Sequence, residues 1–344
     1  MSLGADHSLA IKADGSVWAA GFNVFGQLGI DPKKNMMMDN FVEVMSGDAR
    51  TIAAGGKHSL VRKTDGSLWT AGSNEYGQLG DGTKTDIHGF VKVISGKVKS
   101  IATSARHSLV VMKNGSVWAT GYNKYGQLGD GSTTERQMFA QVVPKGGVSA
   151  AAAVEHGMVL KRDGSVWVTA NNKCGQLGNI SKPVVKKFVK VVASGAQAVA
   201  ADRGHSMVLR QDDSVHVTGD NKYGQLGDGS TVSKNGIFTS VIFSRAQAIA
   251  AGYDHSIVLK QDGSVWVAGR NNYGQLGDGP KTFTSTFVEV ISDDVQAVAA
   301  GDWHSAMLKR DGSMWVTGAN GYGQLEDGSA IDKNMLDEVV TSRQ

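Results

Sequence analysis

Along most of this chain, apolar and polar residues alternate in runs too short for helices. From Ile52 the pattern reads Ile52-Ala53-Ala54-Gly55, then His58-Ser59-Leu60-Val61, a turn at Asp65-Gly66, and Ser67-Leu68-Trp69-Thr70-Ala71-Gly72. Period-two runs bounded by Gly and Asx-Gly pairs predict strands. Asp-Gly predicts a hairpin, because its central positions favour positive φ, which Gly and Asx tolerate. The pair returns at Asp14-Gly15, Asn114-Gly115, Asp163-Gly164, Asp262-Gly263 and Asp311-Gly312, with Asp212-Asp213 as the exception. A Gly-Gln-Leu loop follows, starting at Gly26, Gly77, Gly126, Gly175, Gly224, Gly274 and Gly323, and then a fourth run such as Phe41-Val42-Glu43-Val44 or Phe287-Val288-Glu289-Val290. Four antiparallel strands in each of seven units of about 49 residues predict an all-β fold. The expected fold is a seven-bladed β-propeller occupying residues 1–344 as a single domain.

Side-chain size predicts radial order. Alanines crowd the first run of most copies (Ala53-Ala54, Ala150 to Ala153, Ala250-Ala251, Ala299-Ala300), as expected of strands meeting at a central axis. Trp18, Trp69, Trp118, Trp167, Trp266 and Trp315 stand in the third run, with His216 in the fifth copy, and are read as core filling the wider gaps between blades. Aligning Val339-Val340-Thr341-Ser342 with Val93-Ile94-Ser95-Gly96 leaves about two residues of the period between Gln344 and Met1, so the ring is expected to close with its ends adjacent. The first blade has only Met1-Ser2-Leu3 for its innermost strand, which reads as a trimmed piece of a longer protein.

Composition narrows the class. Hydrophobic content of 41% suits a soluble protein with a large shared core, and a net charge of +3 gives no whole-molecule attraction to nucleic acid or anionic membrane. The one cysteine, Cys174, rules out an internal disulfide framework, and no signal peptide or membrane span is evident. A monomer in the cytoplasm or nucleus is expected.

The pattern Gly-x-Asn-x-Tyr-Gly-Gln-Leu-Gly, followed about 30 residues later by Ala-Ala-Gly-x-x-His-Ser, resembles the regulator of chromosome condensation repeat family over essentially the whole chain. The resemblance implies a seven-bladed propeller. It also implies a range of functions, including nucleotide exchange on the small GTPase Ran, chromatin attachment, ubiquitin-ligase modules, signalling scaffolds and β-lactamase inhibition. Neither the β-wedge nor the basic N-terminal tail associated with exchange and chromatin attachment in the founding protein is expected of this chain, so no exchange residues are carried over.

A residue present in every copy answers a demand of the fold, whereas a chemical site is needed once. His7, His58, His107, His156, His205, His255 and His304 are spaced around a ring and read as hydrogen-bonding residues of the fold rather than as a metal site. The repeated Asn and Gln, beginning with Asn23 and Gln27, read as amides bonding loop backbone. No Gly-x-Ser-x-Gly elbow, His-Glu-x-x-His or paired-Cys motif appears, and no crossover helix follows the glycines to hold a phosphate. The expected protein is not an enzyme and has no cofactor or metal. Cys174 stands where other copies have Phe or Tyr and is read as a packing residue.

Function is then expected where copies differ. The two residues before each repeated His are Ala5-Asp6, Gly56-Lys57, Ala105-Arg106, Val154-Glu155, Arg203-Gly204, Tyr253-Asp254 and Asp302-Trp303. They should face the axis on one side of the wheel, joined by Phe22, Tyr122, Arg270 and Asp220 from the loop after the third strand. Lys57, Arg106, Arg203, Tyr253, Asp254, Asp302, Trp303, Phe22, Tyr122 and Arg270 are the candidate partner-binding residues, with a merely solvated, drifting surface as the competing reading. The leading expectation is a protein-interaction propeller. A Ran-like exchange factor or chromatin adaptor and an enzyme inhibitor are the alternatives, and sequence-specific nucleic-acid binding is not expected. Departures gather in copies four and five: Gly157, Ala170, Cys174, Asn179, Asp202 and His216. Lys182, Lys186, Lys187 and Lys190 there read as guards of an outer strand against aggregation, or as a site for an acidic partner. Met36-Met37-Met38 is expected in a tucked loop between Ile30 and Asn40.

Overall fold

The computed structural model describes residues 1–178, 181–242 and 244–339. Its 28 strands form seven four-stranded antiparallel sheets, each ordered as the chain runs. Blade 2 illustrates the unit: Ala49–Ala54 innermost, then His58–Lys63, Leu68–Gly72 and the outer strand Ile87–Ile94. The hairpin register pairs His58 with Gly72 and Arg62 with Leu68. Gly72 has φ +107, and a Cβ there would lie 2.5 Å from the Lys57 carbonyl, so this corner favours glycine. Copy four places Ala170 at the same corner with φ 84.

Hydrophobic clusters lie between successive blades, as where Leu60 and Val110 of neighbouring blades share one core. The predicted small inner strands line a cavity of about 270 Å³ on the axis, walled by residues such as Ala53, Ala102, Ala152, Ala201 and Ala300. The Trp residues pack against the cores between blades as expected, Trp69, Trp167, Trp266 and Trp315 among them, but at their edge. All are half-buried rather than enclosed. Each resolved indole N–H donates to the Ser hydroxyl two residues earlier, as Trp167 does to Ser165 at 2.9 Å, and several carry a lysine on the ring. The indole therefore needs both an apolar neighbour and a polar rim, which the outer part of a blade supplies. His216, replacing Trp, keeps the bond to Ser214 at 3.1 Å.

The repeated histidines join the blades. Nε2 of His7, His58, His156, His205, His255 and His304 meets the Ser hydroxyl of the following blade at 2.8–3.2 Å. Each Ser hydroxyl donates its own proton to the Gln carbonyl of the blade before it, as Ser59 does to Gln27 at 2.6 Å. With the hydroxyl proton so used, the imidazole must donate from Nε2, and the buried Nδ1 has no partner to accept a second proton, so the ring is neutral. The repeated Gln and Asn side chains brace the loop backbone: Gln27 Oε1 accepts from Phe25 N–H and Asn23 Oδ1 from Leu28 N–H.

One joint is broken by sequence. His107 would bond to position 157, which is Gly, so its buried Nε2 has no partner and Ser104 bonds Nδ1 instead at 2.7 Å. A Cβ at Gly157 would lie 3.4 Å from the Gln127 carbonyl, an ordinary contact. Gly157→Ser should therefore complete the joint and raise stability by about 1–2 kcal/mol, read from urea unfolding; a loss of stability would contradict this reading of the His–Ser–Gln relay.

The seventh blade meets the first by contacts that also join other pairs. Ser8 bonds His304, Gly328 N–H donates to Asp39 at 3.1 Å, and Leu3 packs with Ala306 and Val316. The expected adjacency of the chain ends involves residues 340–344 and lies outside the described residues, as does Asn179. Met37 and Met38 fall in the outer strand Met37–Met45 rather than in a loop, and Met36 and Met37 are 64% and 45% exposed, so the tucked-loop expectation fails for both. The strand is longer than its apolar pattern because backbone pairing to Phe22 and Gly21 continues past it.

Candidate interaction face

The turns between inner and second strands and the loops after the third strands lie on the same side of the wheel, tied backbone to backbone. Phe22 N–H donates to the Asp6 carbonyl at 2.8 Å, and Arg270 N–H and Ala319 N–H donate to those of Asp254 and Trp303 at 2.9 Å. This pairing brings each pair of residues before the histidine against its own blade's loop. The loop's repeated aromatic then reaches the variable residues of the next blade.

Three clusters result. Across blades 5, 6 and 7, Trp303 stands between Tyr253 and Tyr273, with ring centroids 4.6 and 5.5 Å away. The Arg270 guanidinium sits 4.7 Å from the Tyr223 ring and 4.9 Å from Trp303, and Arg203 lies 4.5 Å above Tyr253. Both arginines bind one carboxylate, Asp254, at 3.1 and 3.3 Å. At blades 2 and 3, Tyr122 packs on Tyr76 and Tyr125, and Arg106 lies over Tyr76 and Tyr122. At the junction of blades 7 and 1, Phe22 meets Tyr322 at 4.7 Å and Phe25 at 6.2 Å, while Lys57 caps Phe25 at 4.4 Å. Stacking of this kind contributes about 0.5–2 kcal/mol per cation–ring pair and holds long side chains in place before any partner arrives.

The mouth of the axial cavity is acidic. Asp202 and Asp302 both line it. Burial pushes Asp202 up to about 7, and burial together with the charges of Asp202, Asp6 and Asp254 holds Asp302 well above the usual carboxylate range. Burial also raises Asp6, which Lys57 partly offsets. Among the described residues, no group of three or more His, Cys, Asp or Glu is arranged to hold a metal ion, and no helix is long and apolar enough to cross a membrane.

Comparison with known proteins places this geometry in a family. The profile of the RCC1-like domain matches residues 47–341, and that of the regulator of chromosome condensation (RCC1) repeat matches residues 1–27. This chain belongs to the RCC1-like domain family. Mouse protein RCC2 is 40% identical over 83 residues, which are 24% of this chain and 16% of that protein. The aligned segment thus spans less than a fifth of that curated relative. Among solved structures, human WBSCR16 superposes with a TM-score of 0.85 at 21% identity, covering 96% of this chain and 94% of that one. Yeast Prp20p, whose binding to Gsp1p and histones has been characterised, superposes with a TM-score of 0.83 at 20% identity, covering 97% and 88%. At these identities the likeness is one of fold.

On this RCC1-like scaffold the ten candidate residues are not equivalent. Arg203, Tyr253, Trp303 and Arg270 form the continuous cluster on blades 5 to 7, while Arg106 with Tyr122, and Phe22 with Lys57, belong to the other two. Asp254 is fully buried beneath the two arginines and so orients them rather than meeting solvent. Asp302 lies at the axial cavity, inside the aromatic ring. The rule that function lies where copies differ passes over Phe25, Tyr76, Tyr223, Tyr273 and Tyr322, which recur yet pack on the variable residues of the next blade. Tyr273 and Tyr322 are 38% and 41% exposed, so a repeated position also supplies surface. Cys174 interrupts that series in blade 4. Burial pushes its thiol up, which suits packing rather than reactivity.

Proposed function

We propose that this RCC1-like propeller is a non-enzymatic interaction module that binds a protein partner through the aromatic and cationic face. The observation that carries the reading is the cluster on blades 5 to 7. Four residues that differ from their counterparts in the other copies, Arg203, Tyr253, Arg270 and Trp303, converge there into one stacked surface anchored by a buried carboxylate. Aromatic and arginine side chains held in fixed rotamers lose little entropy on binding and are the types that most often dominate interface energy. The intracellular setting belongs to the same proposal.

Affinity capture from the source cell's extract tests it. The Arg203→Ala, Tyr253→Ala, Trp303→Ala variant, once shown to fold, should lose the partner that the wild-type chain retains. Equal capture by both would remove the face from the account. The partner's class is then read separately. Accelerated release of a fluorescent GDP from a Ran-like GTPase would make the chain an exchange factor. Co-purifying histones would make it a chromatin adaptor, and loss of a captured enzyme's activity on titration would make it an inhibitor.

A further inference from the structure

The net charge of +3 conceals a strong segregation. Residues 87–201 hold 15 Lys and Arg against 4 Asp and Glu, a net +11, which leaves 20 against 28, a net −8, for the rest of the chain. The basic stretch is the outer strand Ile87–Ile94 of blade 2, all of blades 3 and 4 and most of the inner strand of blade 5, and many of its cations sit on the side opposite the aromatic face, where the Asx-Gly hairpins and the links between blades emerge. There a concave site of about 450 Å³ is lined by Asn114 and Asp163 of two hairpin turns, Lys145 and Gly146 of the link between blades 3 and 4, and Lys161 and Arg162. Exposed Lys97 and Lys113 continue the patch along blade 3, their backbones joined by the bond from Lys113 N–H to the Lys97 carbonyl at 2.7 Å.

Anions are scarce on this surface. Asp163 is engaged within its own turn, accepting from Ser165 N–H at 3.0 Å and the Ser165 hydroxyl at 2.6 Å. The corresponding turn of blade 3 carries the neutral Asn114, the only Asn in the Asx-Gly series. No ion pair involves Lys97, Lys113, Lys145 or Arg162 among the described residues. Lys161 lies 3.7 Å from the Trp167 ring, where burial lowers its affinity for a proton, Asp163 partly offsets this and the nearby Lys190 adds to it.

We infer that the hairpin side of blades 3 and 4 is a second docking surface, separate from the aromatic face, and that its occupant is a flexible Asp/Glu-rich segment of a protein. Twelve of the fifteen cations are lysines. Of the three arginines, Arg106 is stacked on the other face and Arg136 is bound to Asp130, which leaves Arg162. Arginine forks suit paired phosphate oxygens, whereas lysines spread over a surface act as point charges that single carboxylates can follow. Lysines already occupy the rings of Trp69 and Trp167, whereas the Trp118 ring carries no such contact among the described residues, so the DNA arm of the test below decides between a base and a carboxylate there.

The test is fluorescence anisotropy with a labelled poly-glutamate peptide of about 20 residues, at roughly 50 mM and 300 mM salt, because exposed charges act over about 10 Å at moderate ionic strength. Saturable binding at low salt should weaken at least about tenfold in the Lys113→Glu, Lys145→Glu, Arg162→Glu variant, and similarly in wild type at the higher salt. The Arg203→Ala, Tyr253→Ala, Trp303→Ala variant should bind the peptide as wild type does, which keeps this surface distinct from the aromatic face. No binding at low salt, unchanged affinity in the charge-reversed variant, or tighter binding of a DNA duplex of matched charge would each overturn the inference.

Discussion

Acidification from pH 7 to pH 5 should unfold this protein cooperatively, with the uptake of several protons. The seven repeated histidines are completely buried, and burial lowers each to about 3 or 4 from an ordinary value of 6.5. In the unfolded chain they protonate below about 6.5, so between there and 4 the unfolded state binds more protons and stability falls with pH. By pH 5 each such histidine costs about 2 kcal/mol, and seven together are on the order of a whole domain's stability of about 5–15 kcal/mol. Asp202, Asp302 and Glu326, raised by burial, shift in the opposite sense and offset part of the loss. Circular dichroism against pH would show the transition, and its steepness gives the proton count. His58→Gln, whose amide can still donate to Ser108, should reduce that count by about one. Native structure retained at pH 4 would mean that the relay histidines are not the buried neutral groups described above.

The second large effect is expected at Glu326. Six copies place glycine there, and in five of them it leaves a slot for a phenylalanine of the next blade's outer strand; the ring carbons of Phe90 would lie 2.2 Å from a Cβ on Gly29. At the junction of blades 7 and 1 this position is Glu326, with φ 65, 5% exposure and no partner for Oε2, next to the cluster that holds Phe41. Burial holds its carboxyl well above the usual range, with Ser8 opposing. A carboxyl whose folded value is raised contributes most below its unfolded value near 4.5 and becomes a liability as pH rises through the folded one. Glu326→Gly should therefore raise stability by about 2–4 kcal/mol at pH 8, combining the left-handed backbone with the buried charge. The gain should shrink at low pH. Glu326→Gln, which keeps the strain but removes the ionisation, should recover only the pH-dependent part. A gain independent of pH would place the whole cost in the backbone.

Most of the architecture was legible because the period repeats seven times, and an error in reading one copy is corrected by the other six. Strand order, the inner alanines, the joining role of His58 and the loop-bracing of Asn23 and Gln27 all follow from residues present in nearly every copy. Position-specific physics was less legible. The half-burial of Trp167 depends on Ser165 and Lys161 arriving at its edge, which alternation alone does not reveal. The length of the Met37–Met45 strand depends on pairing, not on apolar pattern. For the candidate face, the variable residues could be named, but their partners could not. Tyr223, Tyr273 and Tyr322 touch residues about 30 to 50 positions away in sequence or across the ring closure, a relation that only the blade-to-blade offset creates. The rule that repeated residues serve the fold hid them, just as a small total charge hid the basic sector.

The measurement that bears most directly on the central claim is the quantitative capture comparison, run with three chains: wild type, the Arg203→Ala, Tyr253→Ala, Trp303→Ala variant, and the Lys113→Glu, Lys145→Glu, Arg162→Glu variant. A principal partner retained by the first and third but lost by the second is the result the account predicts. A partner that survives the aromatic-face substitutions and disappears only with the charge reversal would contradict it.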